Sequence, residues 1–196
     1  MVRQAPTWSG SRYVGTHHQR ELSHTLLENF LTRWEERLME VKEIAEILLA
    51  RSKTVSVAEA CTCGLVGYLL GTMPGASQYF PGGVIAYTGG LKQSVLGVPD
   101  QVYQTYGSVS REVAIAMARG VRELTKTDFG ISTTGVTGPG AGRSGMPIGT
   151  FFIGLSVKDG PDTAVEILVT GGERDANKRG AAQAALDLLG RYLRTL

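Results

Sequence analysis

Hydrophobic positions change period several times along the chain. From about Glu21 to Arg51 no glycine or proline interrupts it, and Leu27, Leu31, Trp34, Leu38, Val41, Ala45 and Leu48 recur at alternating steps of four and three. That spacing predicts one long helix, or two abutting ones. Its seam carries tryptophan and alanine and spans only about three heptads, which suits an amphipathic helix packed on its own domain better than a coiled-coil arm for self-association. The period then shortens: Val55 and Val57 alternate with polar neighbours and predict a strand from Thr54 to Ala58. A short apolar helix is predicted over Thr62 to Thr72 and a second strand over Gly82 to Tyr87. Ser110 to Leu124 reads as a helix capped by Ser110, with Glu112 in its first turn and Val113, Met117, Val121 and Leu124 on one face. Strands follow at Phe129 to Thr133, Ile148 to Val157 and Ala164 to Val169. A last helix, about Asp175 to Leu193, puts Ala181, Ala185, Leu188 and Tyr192 on one side. Alternating strands and helices predict an α/β layered fold, a sheet with helices packed on it, plus the long N-terminal helix.

Composition narrows the class without naming a function. The chain has 196 residues, 42% of them hydrophobic, enough for one domain with a real core. We divide it into a flexible tail at 1–20, a helical segment at 21–51 and one domain at 52–196. A net charge of +2 arises from nearly balanced acids and bases, so neither a nucleic-acid nor a membrane surface is expected. The two cysteines, Cys61 and Cys63, are poorly spaced for a relaxed disulfide and too few for a zinc site, and a reduced, cytoplasmic protein is the expectation. No segment approaches the roughly 20 apolar residues of a membrane span. Arg3, Arg12 and Arg20 precede the first acid, Glu21, a composition shared by organelle leaders, but a plain tail is the simpler reading.

Candidate chemistry gathers in four places. Ser77 follows a Pro74-Gly75 turn, which by itself suggests turn formation or capping. Lys92 stands fifteen residues further on, and a lysine can deprotonate a serine when burial or a neighbouring cation lowers its pKa. The run Thr134-Gly135-Val136-Thr137-Gly138-Pro139-Gly140 frees backbone N–H groups to approach a phosphate or an oxyanion, with a long hairpin as the plain alternative. It is neither a Walker A loop nor a dinucleotide fingerprint, since no Gly-Lys-Ser/Thr ends it and a strand follows it. Glu59-Ala60-Cys61-Thr62 lies where a strand hands over to a helix, where N–H groups can meet an anion or where Thr62 simply caps. Cysteine catalysis is set aside because His17, His18 and His24 all fall outside the domain. Arg174, ahead of the final helix, can fork onto a phosphate or carboxylate.

The order of these pieces resembles the C-terminal domain of the CinA family, the nicotinamide-nucleotide amidohydrolases or nicotinamide mononucleotide deamidases, from about Val41 to Leu196. The family pattern runs Glu-Ser-Cys-Thr-Gly-Gly, Pro-Gly-x-Ser, Gly-Gly-Val-x-x-Tyr with a following lysine, and Thr-Gly-x-x-Gly-Pro-Gly. Here those pieces are Glu59 to Gly64, Pro74 to Ser77, Gly82 to Tyr87 with Lys92, and Thr134 to Gly140. The resemblance implies that Ser77, Tyr87 and Lys92 converge as nucleophile, relay and general base. It further implies substrate contacts from Glu59, Cys61, Thr62, Gly64, Thr134, Gly135, Gly138, Gly140 and Arg174. The implied reaction is hydrolysis of the carboxamide of nicotinamide mononucleotide to nicotinate mononucleotide and ammonia, with no metal or cofactor. The implied partners are a small pyridine nucleotide and further copies of the chain in a homo-oligomer of the stand-alone form. Two departures stand out: Ala60 where the family usually has serine, and Cys63 where it has glycine. They define a rival reading, a weakened or inactive member that binds a nucleotide or regulates; a third is an amidase acting on a related amide.

Overall fold

The computed structural model describes residues 40–141, 144–170 and 172–196. The tail at 1–20 and most of the helical segment at 21–51 lie outside the described residues. The rest of that segment, 40–50, is helical (α1), and its seam residues Val41, Ala45 and Leu48 are buried with Ile44. This portion therefore packs on its own domain.

Five strands form one mixed sheet in the order β2-β1-β3-β4-β5. They are β1 (Val55–Glu59), β2 (Gly82–Ile85), β3 (Phe129–Gly135), β4 (Thr150–Val157) and β5 (Thr163–Leu168). β1 runs parallel to both β2 and β3, with Glu59 opposite Ile85 and Thr133, while β3 to β5 are antiparallel neighbours. Helices α2 (Leu65–Gly71), α3 (Gly89–Ser94), α4 (Asp100–Tyr106), α5 (Arg111–Thr125) and α6 (Arg174–Leu193) complete the chain. Every residue of β1 and β4 is buried because helices cover both faces.

The two-residue period of the strands assigns those faces. On β3, the Ser132 hydroxyl donates to Ala114 O of α5 at 2.6 Å, whereas Phe129 meets Tyr192 of α6 edge-on at 5.9 Å. Even-numbered positions of β1 and β3 thus face α5: Ala58 and Ala60 pack there with Ala86, Val113, Met117 and Val121. Odd-numbered positions face α2 and α6. Ser110 caps α5 by accepting from Val113 N at 3.3 Å, and Val113, Met117 and Val121 are fully buried as their spacing demands. Leu124, expected on that face, is 54% exposed; it stands in the final turn, beside the chain reversal at Lys126 with φ +57°. α3 and α4 have no counterpart in the sequence reading: α2, equally short, is an apolar run, whereas α3 opens on Gly89-Gly90 and α4 is mostly polar. Among the described residues no helix is long and apolar enough to cross a membrane.

At the junction of α1 with α6, the Gln183 amide donates to Glu40 Oε2 and, at 2.8 Å, to Asp187 Oδ1. Burial, then the hydrogen bond and repulsion from Asp187, raise the Glu40 carboxyl to about 7, against the pull of Gln183 and Arg194; Arg194 itself pairs with Glu43. A carboxyl whose folded pKa lies above its ordinary value favours folding while protonated, so this contribution fades as pH rises toward 7. Asp187→Asn is expected to raise the thermal midpoint at pH 8 and to leave it nearly unchanged at pH 5, as scanning calorimetry at the two pH values will show.

Candidate active site

The parallel strands end together, and their C-terminal ends carry most of the polar residues singled out above. Glu59 closes β1 on the α2 face with 2% exposure. Its carboxylate accepts from Thr62 Oγ1 at 2.6 Å and from the N–H groups of Gly64, Val66 and Gly67 at 2.9, 3.1 and 2.8 Å. The anion at the start of α2 is therefore the protein's own, and the amides of Gly64, Val66 and Gly67 are engaged by it. Thr62 caps no backbone amide. It bridges Glu59 to Thr133 Oγ1, 2.7 Å away, and so ties the turn after β1 to β3. Cys63 takes a left-handed conformation at φ +57°, where glycine would be unstrained, and its side chain is exposed.

On the α5 face the central feature is Lys92, in α3 and 2% exposed. Its ammonium donates to Ser108 O at 2.8 Å, Ser108 Oγ at 2.9 Å and Thr134 Oγ1 at 2.8 Å. All of these are neutral oxygens. Burial lowers the Lys92 pKa to about 8, although the nearby Cys61 pulls slightly the other way. Cys61 itself is buried, and desolvation pushes its thiol up to about 12 against a hydrogen bond with Thr133 and the charge of Lys92. It is a thiol at neutral pH and a poor nucleophile.

Beyond β3 the glycine-rich loop meets the start of α6. Arg174 donates to Thr137 Oγ1 at 2.6 Å, to Gly138 O, and through Nη2 to Tyr87 Oη at 2.7 Å. Asn177, one turn into α6, holds the same loop by donating to Thr137 O at 3.1 Å. A cavity of about 210 Å³ opens here, lined by Val109, Gly135, Gly138, Gly140, Ser144 and Arg174 among others. Two of its lining residues, Val109 and Gly135, directly follow Ser108 and Thr134, the partners of Lys92, in the chain.

Ser77 is not in this assembly. It sits exposed in the 3-10 turn Ala76–Gln78, and the carbonyl of nearby Tyr79 accepts from the N–H of Val55, the first residue of β1. Lys92 reaches Thr134 near the C-terminal end of β3, one residue past the last β1–β3 pair, Glu59 with Thr133. The extended residues of β2, at about 3.3 Å each, separate Ser77 from Lys92 along the sheet. Within one chain the implied convergence of Ser77, Tyr87 and Lys92 is thus not seen, and the Tyr87 hydroxyl is engaged by Arg174 instead. Lys92 and Thr134 do meet, as do Tyr87, Arg174 and the loop. Sequence reasoning passed over Ser108, Thr133, Thr137 and Asn177. Only the doubled Thr133-Thr134 at a strand end offered a signal, since hydroxyls are unusual in a fully buried strand.

Comparison with known proteins agrees with this architecture. Residues 38–193 match the family model described as CinA C-terminal domain. A CinA-like protein of Gloeobacter violaceus is 44% identical over 150 residues, covering 76% of this chain and 35% of that protein. One from Synechocystis sp. is 43% identical over 155 residues, 78% of this chain and 37% of that protein. The chain spans about a third of the length of the curated relatives it matches. Among solved structures, a competence-damaged protein (CinA) superfamily protein of Klebsiella pneumoniae superposes with a TM-score of 0.77 at 25% identity, over 82% of this chain and 99% of that one. A competence/damage inducible protein of Agrobacterium tumefaciens gives 0.76 at 28% identity, over 81% and 95%. Matched in sequence and in fold over most of its length, the chain belongs to the CinA C-terminal domain family.

Proposed function

We propose that the chain hydrolyses the exocyclic carboxamide of nicotinamide mononucleotide, yielding nicotinate mononucleotide and ammonia. The observation that carries this reading is Lys92: a buried amine, lowered to about 8, in hydrogen-bond contact with the hydroxyls of Ser108 and Thr134, whose chain neighbours Val109 and Gly135 line a cavity with Arg174. A neutral lysine takes the proton of an attacking hydroxyl and returns it to the departing nitrogen. Amides of the glycine-rich loop are suited to the tetrahedral oxyanion. Arg174 supplies a cation for the substrate phosphate, exchanging its bond to Tyr87 for the ligand, and so contributes binding energy remote from the reacting carbon.

The pH dependence follows from the same lysine. Only its neutral form is a base, so kcat/KM is expected to rise about tenfold per unit as pH approaches 8 from below and to level off above it. A profile flat from pH 6 to 9 would remove Lys92 from the chemistry. The substrate assignment is tested by comparing nicotinamide mononucleotide with nicotinamide riboside: loss of the phosphate is expected to depress kcat/KM sharply in the wild type and little in Arg174→Ala.

One observation favours a nucleotide-binding, non-catalytic protein instead. Every Lys92 proton has an acceptor within the chain, as for a structural cation. Saturable binding of the mononucleotide without ammonia release would support that reading.

A further inference from the structure

If the chain is an amidohydrolase, the attacking atom must touch Lys92, and the candidates differ in reach and in where their protons go. Thr134 Oγ1 is 2.8 Å from the ammonium, but it is 1% exposed and donates its own proton to Ser108 O at 2.8 Å. Cys61 is buried and remains a thiol. Ser77 lies at the far end of β2. Ala60, on the same sheet face as Thr134, has no hydroxyl to offer. Ser108 differs from all of them: its hydroxyl is 2.9 Å from Lys92 Nζ, it is only half-buried, and the next residue, Val109, lines the cavity with the glycine-rich loop and Arg174.

The backbone around Ser108 is held in place. Its carbonyl accepts from both Lys92 and Thr134 at 2.8 Å. Two residues on, the Ser110 hydroxyl donates back to Gly107 O and caps α5, so the segment is tied on both sides. A reactive side chain on an anchored backbone is the arrangement that positional catalysis requires.

We infer that Ser108 Oγ is the nucleophile of this chain and Lys92 its base, an assignment that rests on the amidohydrolase reading proposed above. Ser108 Oγ bonds to the carboxamide carbon as its proton passes to neutral Lys92 and the carbonyl π electrons move onto oxygen. Collapse breaks the C–N bond; the electron pair leaves with nitrogen, which takes the proton from Lys92 and departs as ammonia. Water then adds to the Ser108 ester, giving a proton to Lys92. The C–Oγ bond breaks, the carboxylic acid leaves and Oγ recovers the proton.

The test is covalent labelling with an alkyl fluorophosphonate, which forms an Oγ–P bond with loss of fluoride and needs no knowledge of the substrate. Peptide mass spectrometry of the full chain is expected to find the adduct on Ser108, and to find at least tenfold less of it in Lys92→Met. Ser108→Ala is expected to lower ammonia release at least about 10³-fold while its circular dichroism and thermal midpoint match the wild type. An adduct on Ser77 or Thr134, no adduct at all, or a folded Ser108→Ala that keeps its rate overturns the assignment. Lys92-dependent labelling of Ser108 without hydrolysis of nicotinamide mononucleotide supports the nucleophile and overturns only the substrate.

Discussion

Lys92→Met is expected to lower ammonia release from nicotinamide mononucleotide by roughly 10²–10⁴-fold, the range a single general base contributes. Methionine has similar length and no charge, so it fills the space and removes only the proton acceptor. Stability should change far less than rate. Lys92 is 2% exposed, and its charged form carries a desolvation penalty that the substitution relieves. Against that relief, Ser108 O, Ser108 Oγ and Thr134 Oγ1 each lose a donor, though Thr134 retains its own bond to Ser108 O. These opposing effects leave a net change of about 1–2 kcal/mol, readable by urea denaturation. A variant folded within that margin yet as fast as the wild type would exclude Lys92 from catalysis.

Glu59→Ala should produce the largest loss of stability of any single change at the site. The Glu59 carboxylate is 2% exposed and accepts from three backbone amides and the Thr62 hydroxyl. Removing it leaves those donors without an acceptor at the start of α2, at a cost of about 3–5 kcal/mol. For a domain of this size that corresponds to a fall in thermal midpoint of roughly 10 °C or more. Glu59→Gln keeps an acceptor oxygen but puts an amide group where another oxygen accepted, and should lie between alanine and wild type. Calorimetry of the purified variants decides it: a shift below about 2 °C for Glu59→Ala would mean that water or a rearranged turn replaces the carboxylate.

The elements legible in the sequence were those with enough length or contrast to set a period. α5 and α6 carry several turns of an apolar face, and β1 alternates Val55 and Val57 with the small residues Ser56 and Ala58. α3 and α4 did not register because, unlike the equally short α2, they carry no apolar run, and α3 opens on Gly89-Gly90, which reads as a loop. The site was legible in part. Lys92 meets Thr134, and Arg174 meets the glycine-rich loop at the cavity, but the resemblance that ordered them says nothing about which end of a strand each occupies. The strand between Ser77 and Lys92 was legible, and their convergence was implied only by the resemblance; within the chain that strand holds them apart. Glu59 entered the site through the resemblance, while the helix-start amides offered themselves to an anion; that the Glu59 carboxylate is the anion they meet depends on the reach of a side chain, which the motif does not show. Ser108 sits in an unpatterned segment two residues before a helix cap, where a serine carries no distinguishing mark.

The measurement that bears most directly on the amidohydrolase reading is quantitation of ammonia and nicotinate mononucleotide formed from nicotinamide mononucleotide by the purified chain above pH 8, beside Lys92→Met. Equal amounts of the two products from the wild type, with both lost in the variant, is the expected result. A folded wild type that binds the mononucleotide and releases neither product, or a Lys92→Met variant that releases both at the wild-type rate, would contradict it.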